Sequence, residues 1–108
     1  RLAADLDRLA EIVEERSPAR FVIGLPLNMD DTEGPRALKT RRFAEHVAAR
    51  FGLPIVLWDE RLTTWEAERM LREMKVDPKK RKEVIDTVAA VVILKSYLDS
   101  GSPEQGIP

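Results

Sequence analysis

The stretch LPIVLWDERLTTWEAERML, residues 53–71, holds the two signals that decide the fold. It opens on an unbroken apolar run, which is typical of a strand buried on both faces of a sheet. Thr63 and Glu66 then form a T-x-x-E capping box, the pattern that opens a helix. Between the two stand adjacent carboxylates, Asp59 and Glu60. The stretch therefore predicts a strand followed by a helix, with two acids where the strand ends.

A second strand and helix precede this stretch. The run FVIGL, residues 21–25, is short and apolar and is ended by Pro26, which suits a buried strand. Pro35 is well placed in the first turn of a following helix, and Gly52 is typical of that helix's end. Two apolar strands joined by a helix predict a parallel pair with a right-handed crossover. The predicted fold class is α/β.

The outer elements complete a single predicted domain over residues 1–99. Residues 2–13 place apolar side chains at helical spacing and predict an amphipathic helix, without a capping residue or initiator Met before it. We therefore expect the chain to begin inside an element of a longer protein. Residues 84–98 are apolar nearly all round, which predicts a buried helix, and residues 100–108 are predicted to be a disordered tail.

Composition limits the possible functions. A chain of 108 residues with 44% hydrophobic content suits one soluble domain, and the lack of an apolar run of about 18 residues or more predicts no membrane span and a cytoplasmic location. The absence of Cys and the single residue His46 exclude thiolate and His-rich metal sites, so any metal needs oxygen ligands. Basic residues concentrate in residues 36–42 and 75–82, two segments that could meet a polyanion.

Three acids are candidates for a site. The carboxyl ends of parallel strands share one edge, where α/β sheets bind ligands, so Asp59 and Glu60 are expected there. Neighbours on a strand point to opposite faces, and spacing does not choose between them. Asp86 interrupts the most apolar segment, where a carboxylate must be paired or bound to a cation. The alternatives are a solvated strand end for the pair, and for Asp86 an exposed position near a helix start beside Lys82.

Five segments together carry a resemblance to a known family. They are VIGLPLNMD, EGPRA, FAEHV, LPIVLWDERLTTWEAE and KKRKEVIDTVAAVVIL, and they cover the chain in order up to about residue 99. The sequence is identified by them as a member of the YqgF family, Holliday-junction-resolvase-like proteins assigned as nucleases for the 5′ end of precursor 16S ribosomal RNA. The resemblance implies a ribonuclease-H-like fold that here lacks its first three strands, leaving two parallel strands with flanking helices.

The resemblance also implies a site. The active site of the family uses three carboxylates to hold Mg²⁺ or Mn²⁺. Glu60 and Asp86 match two of them, as catalytic and metal-binding residues. The third lies on the first strand of the family's fold and has no counterpart among these residues. We therefore expect this chain alone to be inactive. It should either be a proteolytic or disordered remnant of a longer protein or self-associate, through an exposed sheet edge or through exposed helix faces. The substrate that the resemblance implies is precursor 16S rRNA or branched DNA. Its implied contacts are Asn28, Arg41, Arg42, Arg61, Thr63, Lys79 and Lys80.

Rival functions stay open at this point. A non-catalytic nucleic-acid-binding module would retain the basic segments and need no metal. A Holliday-junction resolvase would act on branched DNA, and a structural partner of the ribosome-maturation or transcription machinery would need no active site. A nucleotide-binding domain is disfavoured, because the turn GLPLNMDDTEG contains neither G-x-G-x-x-G nor a P-loop.

Overall fold

A computed structural model describes residues 1–60 and 69–108, with residues 81–83 and 85–87 described by their backbone alone. The predicted capping box at Thr63 and Glu66 lies outside the described residues. Residues 69–73 are helical. The other elements are, in chain order, α1 (Leu2–Arg16), β1 (Phe21–Leu25), α2 (Pro35–Phe51), β2 (Ile55–Asp59) and α3 (Arg81–Asp99).

The two strands form the predicted parallel pair. Their register runs from Phe21 opposite Ile55 to Leu25 opposite Asp59. The crossover between them is α2, which has Pro35 in its first turn and ends at Gly52 with φ 65°, where the Gly52 N–H donates to Ala48. Glycine reaches this left-handed conformation without steric cost. The predicted strands, their direction and both ends of the crossover helix are confirmed.

Helices cover both faces of the sheet. The Phe21 ring of β1 lies 5.5 Å from the Phe51 ring of α2, which places α2 on one face. The Trp58 ring of β2 lies 5.3 Å from the Tyr97 ring of α3, which places α3 on the other. The side chains with the lowest exposure are Leu25, Ala37, Val47, Val56 and Leu71. The core therefore lies within an α/β/α sandwich whose sheet is narrow.

The prediction of a fully buried last helix was wrong in part. Residues 81–99 are helical as expected, but Val91, Leu94 and Leu98 are 53%, 49% and 55% exposed. The spacing of these three residues places them on one side of α3. Two strands are the whole sheet in the part of the chain that the structure describes, and they cover only the opposite side of the helix. A stripe of apolar side chains therefore faces solvent along α3.

The segment after α3 has no helix or strand but contacts the rest of the domain. The Ile107 N–H donates to the Leu57 carbonyl of β2 at 2.8 Å. The Tyr97 hydroxyl donates to the Pro103 carbonyl, and Arg20 donates to Tyr97. These contacts lay residues 103–108 along the outer edge of β2. Disorder of this tail in solution stays a prediction.

Candidate active site at the carboxyl edge of the sheet

Strand alternation separates the two adjacent acids. Leu25 shares the α2 face with Phe21, because the two are four residues apart on one strand. Asp59 is the register partner of Leu25 and so belongs to the α2 face. Trp58 faces α3 through its contact with Tyr97, and Glu60 follows two residues later. Glu60 is therefore the acid on the α3 face, a choice that spacing alone leaves open.

The Glu60 side chain lies in a narrow space between β1 and α3. A Cβ atom built on Gly24 would stand 2.8 Å from Glu60 Oε2 and 2.6 Å from Ile93 Cδ1, so the three residues meet at one point. The Glu60 N–H donates to the Leu25 carbonyl at 3.3 Å, which continues the pairing of the strands by one more residue. The carboxylate is thus held against β1 and is half-buried.

The surroundings of Glu60 raise the pKa of its carboxyl. Burial raises the pKa of its carboxyl above the ordinary value, the positive charge of Arg36 acts against this, and the negative charge of Asp59 adds to it. Arg36 is exposed in the first turn of α2. A cation at this edge would lower the pKa of Glu60, because it stabilises the ionised carboxylate.

Asp86 belongs to the same face by its place in the helix. It lies in α3 seven residues before Ile93, a spacing that puts two residues on one side of a helix. Its side chain is outside the described residues, as are Arg61 and Thr63 altogether. Among the described side chains, no group of three or more His, Cys, Asp or Glu could hold a metal ion. The carboxylate of Glu60 lies on this face, and carboxylate oxygens suit Mg²⁺.

The loop from β1 to α2 lies at the same edge and is braced internally. The Asn28 amide donates to Thr32 Oγ1 at 2.9 Å, and the Thr32 hydroxyl and N–H both donate to Asp30 Oδ1. Leu27 pairs with Glu33 in an isolated antiparallel bridge, and Asp31 has φ 70°. Asn28, a predicted substrate contact, is exposed with its amide already engaged within the loop.

Arg41 and Arg42, two of the predicted basic contacts, have different neighbours. The Arg41 guanidinium donates to both Glu33 oxygens, at 2.5 and 2.7 Å, and this lowers the pKa of Glu33. Arg41 also donates to the Pro108 carbonyl at 2.6 Å. Arg42 instead lies beside His46 at a shallow cavity that includes Asp5 of α1. The predicted pair of neighbouring arginines is therefore divided between two surfaces.

Lys79 and Lys80 lie in the turn that precedes α3, and both are exposed. The Lys79 N–H donates to the Asp77 carboxylate at 2.9 Å, which fixes the turn. Sequence reasoning did not single out Gly24 or Arg36. Signals existed for both, since Gly24 interrupts an otherwise apolar strand, and Arg36 directly follows the Pro35 that starts α2 at the carboxyl edge.

The architecture and the acid at its carboxyl edge define a class of α/β domain with a carboxylate site between sheet and helix. Within that class, the sequence profile of the RuvX family, described as Holliday junction resolvase, matches residues 1–100. The chain belongs to this family, also called YqgF, and the resemblance drawn from its motifs is confirmed. The family implies a ribonuclease-H-like fold, of which the parallel pair and flanking helices are part.

Curated relatives carry a common name. A protein of Listeria monocytogenes named "Putative pre-16S rRNA nuclease" is 58% identical over 94 residues, covering 87% of this chain and 68% of the relative. Proteins of the same name from Geobacillus sp. and Thermoanaerobacter pseudethanolicus are 56% and 50% identical, covering 88% and 89% of this chain and 69% and 70% of the relatives. Among the described helices, none is long and apolar enough to cross a membrane.

Proposed function

We propose that this protein is a metal-dependent endonuclease that hydrolyses phosphodiester bonds and processes the 5′ end of precursor 16S rRNA in the bacterial cytoplasm. The observation that carries the proposal is the place of Glu60, a half-buried carboxylate held between β1 and α3 at the carboxyl edge of the sheet. The name shared by the relatives supplies the RNA substrate. Glu60 and Asp86 are the proposed catalytic acids.

The proposed chemistry assigns Glu60 and Asp86 to hold Mg²⁺ or Mn²⁺ through oxygen. A bound divalent cation activates water and neutralises charge on the phosphate oxygens of the scissile bond. Glu60 acts as a ligand in its ionised form, which burial disfavours and a bound cation would favour. Arg36, whose charge acts on Glu60, is placed to attract the substrate's phosphates to this edge.

The test uses the adjacent carboxylates as a matched pair. Purified full-length protein should cleave a 16S precursor in Mg²⁺ or Mn²⁺, and Glu60→Gln or Asp86→Asn should abolish the cleavage. Asp59→Asn removes the same charge one residue away on the opposite face and should leave most of the activity. Cleavage that survives Glu60→Gln but not Asp59→Asn would overturn the site assignment. RNA binding with no cleavage under any metal would favour the non-catalytic module.

A second substrate is favoured by the family's description as Holliday junction resolvase. Branched DNA presents the same phosphodiester chemistry, so Glu60 and Asp86 would serve it equally. A four-way DNA junction and the 16S precursor should therefore be assayed side by side with one enzyme preparation. We propose that the RNA is cleaved faster, and a junction cut at least as fast as the precursor would reverse the assignment.

Basic residues should hold the substrate by its backbone rather than its bases. Arg42, Lys79 and Lys80 are exposed, and the segments that contain them, residues 36–42 and 75–82, hold no aromatic residue for base stacking. Affinity should therefore fall steeply as salt rises, because bound phosphates release counterions. Replacing Lys79 and Lys80 by Ala should reduce the slope of log affinity against log salt. An unchanged slope would remove these lysines from the interface.

The 108-residue chain by itself is proposed to be inactive and to self-associate. The third carboxylate that the family resemblance implies has no counterpart among these residues, so metal binding should be weak. In the described structure the outer edge of β1 has no strand paired to it, and the exposed apolar stripe on α3 adds a second surface for association. Light scattering and Mn²⁺ titration test this. A monodisperse monomer that cuts RNA would contradict both statements.

A further inference from the structure

The only glycine in β1 has no conformational reason to be glycine. Gly24 sits in a strand of bulky residues, and it is not among the glycines with positive φ. Within a strand, glycine costs roughly 0.5–1 kcal/mol relative to alanine, because it loses more backbone freedom on folding. The structural reason must therefore be the space that the missing side chain leaves.

That space is filled by Glu60 and Ile93. A Cβ at position 24 would stand 2.8 Å from Glu60 Oε2, 3.2 Å from Glu60 Cβ and 2.6 Å from Ile93 Cδ1. Carbon atoms attract best at about 3.5–4.0 Å, so all three distances are repulsive. Ile93 can yield by moving the end of a flexible chain. Glu60 has less freedom, since its stem is also too close and its N–H is bonded to Leu25.

We propose that Gly24 is a positioning residue, which lets the Glu60 carboxylate lie against bare backbone of β1 and so fixes where that carboxylate meets α3. Any side chain at this position would push the carboxylate out of the space between strand and helix. The inference rests on the proposed function, because Glu60 is taken there as a metal ligand. It concerns how that ligand is placed rather than which residue it is.

Gly24→Ala is the direct test, in the full-length protein. Mn²⁺ affinity, measured by calorimetric titration, and the cleavage rate should each fall about 10–100-fold, the loss typical of disturbing the groups that orient a metal ligand. Gly34→Ala is the matched control. A Cβ on Gly34 would meet only the Asn28 amide, at 3.5 and 3.7 Å, which is ordinary contact. This variant should bind Mn²⁺ and cleave like the parent protein.

A second variant distinguishes an effect on the position of the Glu60 carboxylate from an effect on the packing of α3. Ile93→Val removes the Cδ1 atom that would clash with an alanine at position 24, so Gly24→Ala combined with Ile93→Val should recover thermal stability. The double variant should still bind Mn²⁺ 10–100-fold more weakly than Ile93→Val alone, because the contact with Glu60 persists. If the double variant regains Mn²⁺ affinity together with stability, Gly24 acts only through helix packing and the inference fails.

A readout without metal keeps the inference distinct from the proposed function. The ¹³C resonance of the Glu60 carboxyl, identified by its loss in Glu60→Gln, should shift in the double variant relative to Ile93→Val, because the carboxyl has changed surroundings. An unmoved resonance would overturn the positioning role even if cleavage fell. A parent protein that neither binds Mn²⁺ nor cuts nucleic acid would instead refute the proposed function, with the resonance shift still deciding the role of Gly24.

Discussion

Trp58 packs β2, which ends one residue before Glu60, against α3, which carries Asp86, and its replacement should weaken that packing. The indole N–H donates to Ser96 Oγ at 3.1 Å, and the ring meets Tyr97 edge to face, with centroids 5.3 Å apart and planes at 89°. Trp58→Phe removes the hydrogen bond and keeps a ring, whereas Trp58→Leu removes both contacts. We expect both variants to destabilise the protein, the second more than the first.

The magnitudes follow from the two contacts. A hydrogen bond contributes about 0.5–1.5 kcal/mol net, and an aromatic pair about 0.5–1.5 kcal/mol beyond its buried area. Trp58→Phe should therefore cost about 1 kcal/mol and Trp58→Leu about 2 kcal/mol. In a small domain each kcal/mol lowers the melting temperature by roughly 4–8 °C, so Trp58→Leu should lower it by roughly 8–16 °C.

A double-mutant cycle measured by urea unfolding tests the assignment. Ser96→Ala should cost about as much as Trp58→Phe, and the two together no more than either alone, because they remove the same hydrogen bond. Simple addition of the two losses would refute the bond. If Trp58→Leu cost no more than Trp58→Phe, the ring contact with Tyr97 would contribute nothing to holding α3 on β2.

Three further outcomes are expected. Glu60→Gln should raise thermal stability, and the gain should be larger at pH 7 than at pH 4. The pKa of Glu60 is higher in the folded state than in the unfolded state, so the parent protein loses stability as pH rises between these two pKa values, and the glutamine variant does not. An equal effect at both pH values would contradict this. Glu33→Gln should lower stability at neutral pH and have no effect in acid. Hydrogen bonds from Arg41 lower the pKa of Glu33, so the contribution of the pair to stability disappears as pH falls through that lowered pKa. Glu45→Gln, at an exposed position, is the control. Gly106→Ala should detach the tail, since its Cβ would overlap the Leu57 carbonyl oxygen. The Ile107 amide should then exchange hydrogen faster, while Glu104→Gln, at an exposed position of the same tail, should leave the exchange unchanged.

The sequence predicted the elements whose signals are local. Both strands are short, mainly apolar runs, and Pro35 and Gly52 mark the ends of α2 by their own backbone chemistry. Once these elements are known, parallel pairing and a shared carboxyl edge follow from chain connectivity. The motifs were specific enough to give the family as well. The catalytic roles of Glu60 and Asp86 and the choice of metal stay predictions.

The features that the sequence could not predict depend on which surfaces of the fold pack against each other. The pairing of Arg41 with Glu33 joins a helix to the loop before it, and nothing in a charge run indicates which of two neighbouring arginines turns inward. The apolar pattern of α3 likewise does not indicate which side of the helix is covered. An apolar helix is expected to be buried, but its burial depends on how many strands lie against it.

Whether Asp59 or Glu60 faces α3 is the clearest example of a feature that the sequence could not predict, because it depends on a single residue of strand register. Alternation says that the two acids face opposite ways, and only a packing contact says which way each one faces. Trp58 supplies that contact, since its ring and indole N–H are both engaged by α3. A slip of one residue in β2 would turn Trp58 away from Tyr97 and bring Asp59 toward the helix in place of Glu60. Gly24 adds the complementary constraint on the neighbouring strand, where the space beside Ile93 accepts the longer carboxylate. The contacts of Trp58 with α3 and the space beside Gly24 together therefore select Glu60 as the acid that reaches the proposed site.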